Sequence, residues 1–139
     1  MEKALFDLRG HGFLPCPAVS DYRPVQTPAF EPWDRSMPVT YLIRFQVVPE
    51  RRGEFLELLE GLLDAMRSEP MFHEAILHRD PMSENDFMLY ETWESHEDVL
   101  DVQIRRPYRQ DWHDALPRLL RHERDITLWE PIRADRRQL

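Results

Sequence analysis

Tyr90, Glu91, Thr92 and Trp93 set a phenol, a carboxylate and an indole side by side in a stretch otherwise rich in strand-forming residues. In an extended chain successive side chains alternate between faces. Phe87, Leu89, Glu91 and Trp93 therefore share one face, and Met88, Tyr90 and Thr92 the other. A carboxylate on an apolar face needs a partner, and the sequence offers two. One is Arg44, which can pair with Glu74 or Glu91 or hold an enolate; the other is a second acid, Glu74, in which case one of the two keeps its proton near neutrality. His73, His78 and His113 are acceptors whose charge changes in the physiological range, and His73 and His78 fall on opposite faces of their own segment.

The bulk composition narrows what this chemistry serves. A chain of 139 residues, 42% hydrophobic and 11% aromatic, suits one domain with one core. The formal net charge of -8 opposes a phosphate-binding surface, so no nucleic acid is expected. Of the 18 basic residues only Lys3 is lysine. Cys16 is the single cysteine, which leaves no internal disulfide and no cysteine-built metal site. With a charged N-terminus and no long apolar run, the expectation is a cytoplasmic protein with no membrane association.

The elements that must position these residues follow from periodicity. Residues 1–38 hold half of the 12 prolines and form an arm, with Phe13, Leu14, Tyr22, Phe30 and Trp33 as anchors against the body or a partner subunit. A domain over 39–133 follows, then a polar tail, 134–139. Val39 to Val48 alternates as a first strand, and Pro49 opens a helix to about Ser68 carrying Phe55, Leu58, Leu59, Leu62, Leu63 and Met66. Phe72 to Arg79 and the stretch from Asp86 form a hairpin across the turn-rich residues 80–85. If Arg79 faces Asp86, Glu74 faces Glu91 and Phe72 faces Trp93. Ser95 with Asp98 caps a short helix, and Pro107 opens a further one through Tyr108, Trp112, Leu116, Leu119 and Leu120, bent or broken by Pro117. A last strand spans Asp125 to Glu130. The order predicts an α+β fold of the ferredoxin-like split βαβ type, an antiparallel four-stranded sheet with helices on one face. Its bare face is most simply covered by a second copy, so a homodimer is expected.

Six pieces together carry a resemblance: Val48-Pro49-Glu50 to Gly53-Glu54-Phe55, Ser68-Glu69-Pro70, Leu77-His78-Arg79-Asp80-Pro81, Tyr90-Glu91-Thr92-Trp93-Glu94-Ser95, Arg106-Pro107-Tyr108, and Ile126-Thr127-Leu128-Trp129-Glu130-Pro131. From Val39 to about Arg133 the chain resembles the antibiotic biosynthesis monooxygenase family, which includes quinol monooxygenases and cofactor-free polyketide oxygenases. The resemblance implies a dimeric α+β barrel that oxidises a phenolic, quinol or aromatic polyketide-like small molecule with dioxygen and no cofactor or metal. Such chemistry asks for a base, an apolar pocket and donors for developing oxyanion charge. On that reading His113 is the base, Trp93 positions the ring and Tyr90 donates to a substrate oxygen. Arg44, Glu91, Tyr108, Trp112 and His73 bind the substrate. The chain departs from the family in having Met71 after Glu69-Pro70 and Gln103 where a helical histidine often stands. The heme-degrading monooxygenases share the superfamily; Trp93 and His113 match two of their three residues, while Arg44 stands at the asparagine position, so heme is the alternative cofactor. A dimeric small-molecule-binding module without catalysis is the third reading, and separation of Tyr90, Glu91, Trp93 and His113 in space would favour it.

Overall fold

The computed structural model describes residues 34–138; residues 1–33 of the proline-rich arm, with all of its anchors, lie outside the described residues. Strand β1 (Val39–Gln46) comes first, with a 3-10 turn (Pro49–Arg51) leading into helix α1 (Arg52–Met66). Strands β2 (Phe72–Arg79) and β3 (Asp86–Trp93) form the hairpin, followed by α2 (His96–Asp101). Two 3-10 turns (Gln103–Arg105 and Pro107–Arg109) then lead into α3 (Gln110–Leu119) and β4 (Asp125–Trp129). The strand order is β2-β3-β1-β4 with every neighbouring pair antiparallel, which is the ferredoxin-like α+β arrangement. No helix among the described residues is long and apolar enough to cross a membrane.

Alternation decides which face the helices cover. Val39, Tyr41, Ile43 and Phe45 of β1, Phe87, Leu89, Glu91 and Trp93 of β3, and Ile126 of β4 are all buried. Against them lie Phe55, Leu59, Leu62 and Met66, spaced four, three and four apart on one stripe of α1, and Trp112, Ala115, Leu116 and Leu119 of α3. The covered interior has two ends of different character. Where β1 finishes and β3 begins, Phe45, Phe55, Phe87 and Trp112 form an aromatic plug, with centroids of contacting rings 5.1 to 5.8 Å apart. Phe55, at the middle of that plug and fully buried, is expected to cost about 3–5 kcal/mol when changed to Ala, read as a fall in denaturation midpoint with unchanged slope. The other end, where β1 begins and β3 finishes, is polar and is described below.

Two expectations are corrected. The hairpin places Arg79 opposite Phe87 rather than Asp86, and a bulge between Phe72 and Glu74 absorbs the difference, so Phe72 does face Trp93. One extra residue reverses the parity of what lies beyond it. Glu74 consequently pairs with Thr92 on the helix-free face, and Ala75 stands opposite Glu91, so the two acids do not meet. Pro117 neither ends nor breaks α3, which continues to Leu119; its missing N–H instead leaves the His113 carbonyl without its intrahelical donor. The exposed tail crosses the sheet from edge to edge, since Trp129 closes β4 while Arg136 lies 3.7 Å from Glu74 on β2.

Candidate functional site

At the polar end of the interior Tyr41, Glu91, Trp93, His96, Gln103 and Arg109 are all buried. Strand register sets the first two side by side, because Tyr41 and Glu91 are cross-strand partners on the helix-covered face. Trp93, two residues on, is fully buried and meets Phe72 edge to face with centroids 5.3 Å apart. The Ser95 side chain accepts the Asp98 N–H at 3.0 Å and so starts α2, which brings His96 inward; the Tyr41 hydroxyl and His96 Nδ1 lie 2.7 Å apart. Arg109 closes the cluster from the segment before α3, its guanidinium 5.6 Å from the Trp93 ring centre and 5.8 Å from that of Tyr108.

That segment is tied down by Glu69, in the turn after α1. Its carboxylate accepts from the Tyr108 hydroxyl at 3.0 Å, from Arg106 Nε at 3.0 Å and from Gln103 Nε2 at 3.4 Å. Burial pushes the Glu69 pKa up, but the bonds from Tyr108, Gln103 and Arg106 outweigh it and leave it below the usual carboxylate range. A depressed acid stabilises the fold above its unfolded pKa and loses that contribution as pH falls through its folded one. Glu69→Gln is therefore expected to raise amide exchange across 103–109 about tenfold, roughly the loss of one charge-assisted bond, while the central strands stay protected. Unchanged exchange there would remove the tether.

Electrostatics binds the polar end together. Burial raises the Glu91 pKa, and Arg109, the Trp93 indole and Arg124 only partly offset it, so the carboxyl favours its protonated form. Trp93 Nε1 lies close enough to act on that carboxyl without completing a hydrogen bond of normal geometry. Burial, with Arg124 and Arg109 nearby, lowers the His113 pKa to about 4; burial and Arg35 lower that of His96 to about 4. Tyr41 is pushed far up by burial and by Glu91. At neutral pH both imidazoles are uncharged, and Arg109, Arg124 and Arg35 are the cations acting on this end.

The residues singled out from sequence separate into four places. Glu91, Trp93, Tyr108 and His113 gather around Arg109. Trp112, although next to His113, packs into the aromatic plug against Phe45 and Phe55. Tyr90 and Arg44 lie on the helix-free face, Tyr90 beside Leu42 and Ile76, and Arg44 beside Met88 and Asp125. His73 sits in the β2 bulge with Nε2 2.5 Å from Glu94. A recess of about 460 Å³ holds Arg44 and His78 together with Asp86, Met88, His122 and Asp125, at the far end of the sheet from Trp93. Arg109, Tyr41 and His96 were not reached from sequence, and Gln103 was reached only as the residue standing where the family often has a histidine. The signal for His96 was available, as the residue following a capping serine; nothing local marks Arg109 among so many arginines.

A family model described as antibiotic biosynthesis monooxygenase matches residues 38–115, more than half of the chain. The chain belongs to this family. A provisionally named monooxygenase of Pestalotiopsis microspora is 30% identical over 92 residues, covering 66% of this chain and 77% of that protein. An uncharacterized Synechocystis protein is 25% identical over 93 residues, or 67% of this chain and 63% of its own length. Among solved structures, SnoaB of Streptomyces nogalater, described as a cofactor-independent oxygenase, superposes with TM-score 0.61 at 20% identity, covering 70% of this chain and 96% of that one. A provisionally named family member from Nitrosomonas europaea gives TM-score 0.65 at 13% identity, covering 72% and 95%. At these identities the structures speak for the fold, and the family's antiparallel α+β architecture is the one found here.

Proposed function

We propose that the protein is a cofactor-independent monooxygenase acting with dioxygen on a phenolic or quinol-like small molecule at the polar end of its interior. The observation that carries this reading is that Trp93 and Tyr108 both lie within cation–π range of the buried Arg109, with Glu91 buried and His113 half-buried within its electrostatic reach, because a family fold used only as a scaffold has no need to bury a guanidinium against two aromatic rings. A phenol can supply every electron the reaction needs: one oxygen atom enters the ring, the second leaves as water with two hydrogens from the substrate, and the product is a quinone. The protein then has only to bind, acidify and keep the site dry. Trp93 positions the ring, Arg109 and Tyr108 hold its oxygen, and His113 accepts the phenolic proton. Admission of a ring requires the 103–109 segment to move, since Trp93 is fully buried.

Oxygen uptake with a panel of hydroquinones and phenols tests this directly. Uptake should disappear in His113→Ala and Trp93→Ala, and unchanged turnover in both would withdraw these roles. Because His113 must be unprotonated to accept a proton, and its pKa is lowered to about 4, kcat should be level from about pH 5 through neutrality with an acid limb below. An acid limb near the ordinary histidine pKa would place the base elsewhere.

The residues do not fit a heme site. Arg44, at the asparagine position, lies on the opposite sheet face from Trp93, so the strand residue that would complete the set with Trp93 and His113 does not face them. The helix-free face carries Leu42, Met88 and Tyr90 with Ile76 and Trp129 exposed, and a second copy is its proposed partner, in a cytoplasmic homodimer. Ile76→Arg, on the edge strand β2 of that face, should shift the solution mass to the monomer by light scattering; a wild-type chain that is already monomeric would refute the dimer.

A further inference from the structure

We propose that Arg109 and Trp93 form the receptor for an ionised oxygen on a planar ligand, so that the site selects aromatic monoanions, such as acidic phenols, hydroxyquinones and enolised diketones, over neutral rings. The proposal rests on the oxygenase reading for the aromatic character of the ligand, and on the following observations for its charge. Arg109 is 6% exposed, and both its Nε and its Nη2 lack a hydrogen-bond partner among the described residues. Trp93 Nε1, a third buried donor in the same place, also completes no bond. Buried N–H groups are rarely left without acceptors, and a buried guanidinium, which cannot shed its proton, is the costliest of them.

The groups facing Arg109 do not cancel its charge. No carboxylate among the described residues lies within ion-pair distance of it. Glu91 on β3 is an acid acting on it and is held toward its neutral form by burial; Tyr41 on β1, Tyr108 on its own segment and His113 on α3 are neutral, and Arg124 before β4 is positive. Trp93 and Tyr108 both lie within cation–π range of the guanidinium, and Arg109 presents its free donors as a planar fork. A fork of charged donors beside an indole N–H is complementary to an oxygen carrying negative charge next to a ring. The same arrangement explains how so weak a base as His113 suffices: a substrate already ionised, or ionised on contact with Arg109, leaves little proton transfer to be driven.

Calorimetric titration of the full chain under anaerobic conditions at pH 7 tests this with two probes of nearly equal shape, the anion 2-hydroxy-1,4-naphthoquinone and its neutral methyl ether. The wild-type chain should bind the anion about tenfold or more tightly than the ether. Arg109→Lys should keep part of that preference, and Arg109→Met should erase it. Equal affinity, preference for the ether, or no binding of either probe by the wild type overturns the proposal, and this comparison stands even if a variant fails to fold. Charge preference without oxygen uptake on any phenol would leave this site standing and remove the oxygenase reading; uptake with no charge preference would do the reverse.

Discussion

Between pH 6.5 and pH 4 the fold should lose roughly 2–3 kcal/mol through His96 alone, with a smaller loss through the partly exposed His113. Both imidazoles are neutral in the native state because burial holds their pKa values near 4, whereas in the unfolded chain they titrate near the ordinary imidazole value of 6.5. In that window the unfolded state binds more protons, so stability rises with pH and is lost as pH falls, levelling off below the folded pKa. Glu91 works in the opposite sense. Its folded pKa is raised, so its contribution is present below the unfolded carboxylate value and declines as pH climbs through the folded one. Glu91→Gln should therefore raise stability at neutral pH and steepen the remaining acid dependence, and His113→Gln should flatten it. Urea denaturation at several pH values reads all three. Stability level from pH 7 to pH 4 in the wild type would mean that neither imidazole is neutral by burial.

The difference between what was legible in the sequence and what was not is the difference between local and tertiary causes. Alternation along Val39–Gln46 and Asp86–Trp93, the Leu59 and Leu62 stripe of α1 and the Ser95 cap are each written in a few neighbouring residues, and they specify the sheet, the covered face and the burial of Glu91 and Trp93. The bulge at His73 is not local, because it exists to reconcile the Phe72–Trp93 contact at one end of the hairpin with the turn at the other; a single residue of slip moved Glu74 to the far face. Tyr90 and Trp93 were read together because they are close in the chain, yet odd spacing on a strand separates them by the thickness of the sheet. Arg109 is the reverse case. It is remote from Trp93 in sequence, follows a proline turn with no periodicity, and only the docking of 103–109 through Glu69 sets it on the indole.

Trp93→Phe should reduce kcat by about 10²–10³ while costing the fold little, and Trp93→Ala should do both kinds of damage. The two variants separate the two things an indole supplies at this place. Phenylalanine keeps a large flat ring against Phe72 and under Arg109, preserving most of the buried area, but removes the Nε1–H. That donor completes no hydrogen bond of normal geometry within the protein, so its deletion breaks no formed bond, although it lets the Glu91 pKa rise further. A loss of rate in Trp93→Phe that Glu91→Gln does not reproduce is therefore an effect on the ligand's oxygen as charge develops. If the N–H acts only in the transition state, KM stays near its wild-type value and the loss falls on kcat; if it contributes equally to binding, KM rises and kcat does not move. Full activity in Trp93→Phe, with loss confined to Trp93→Ala, would reduce the indole to a packing residue and shift the whole task of oxygen stabilisation to Arg109.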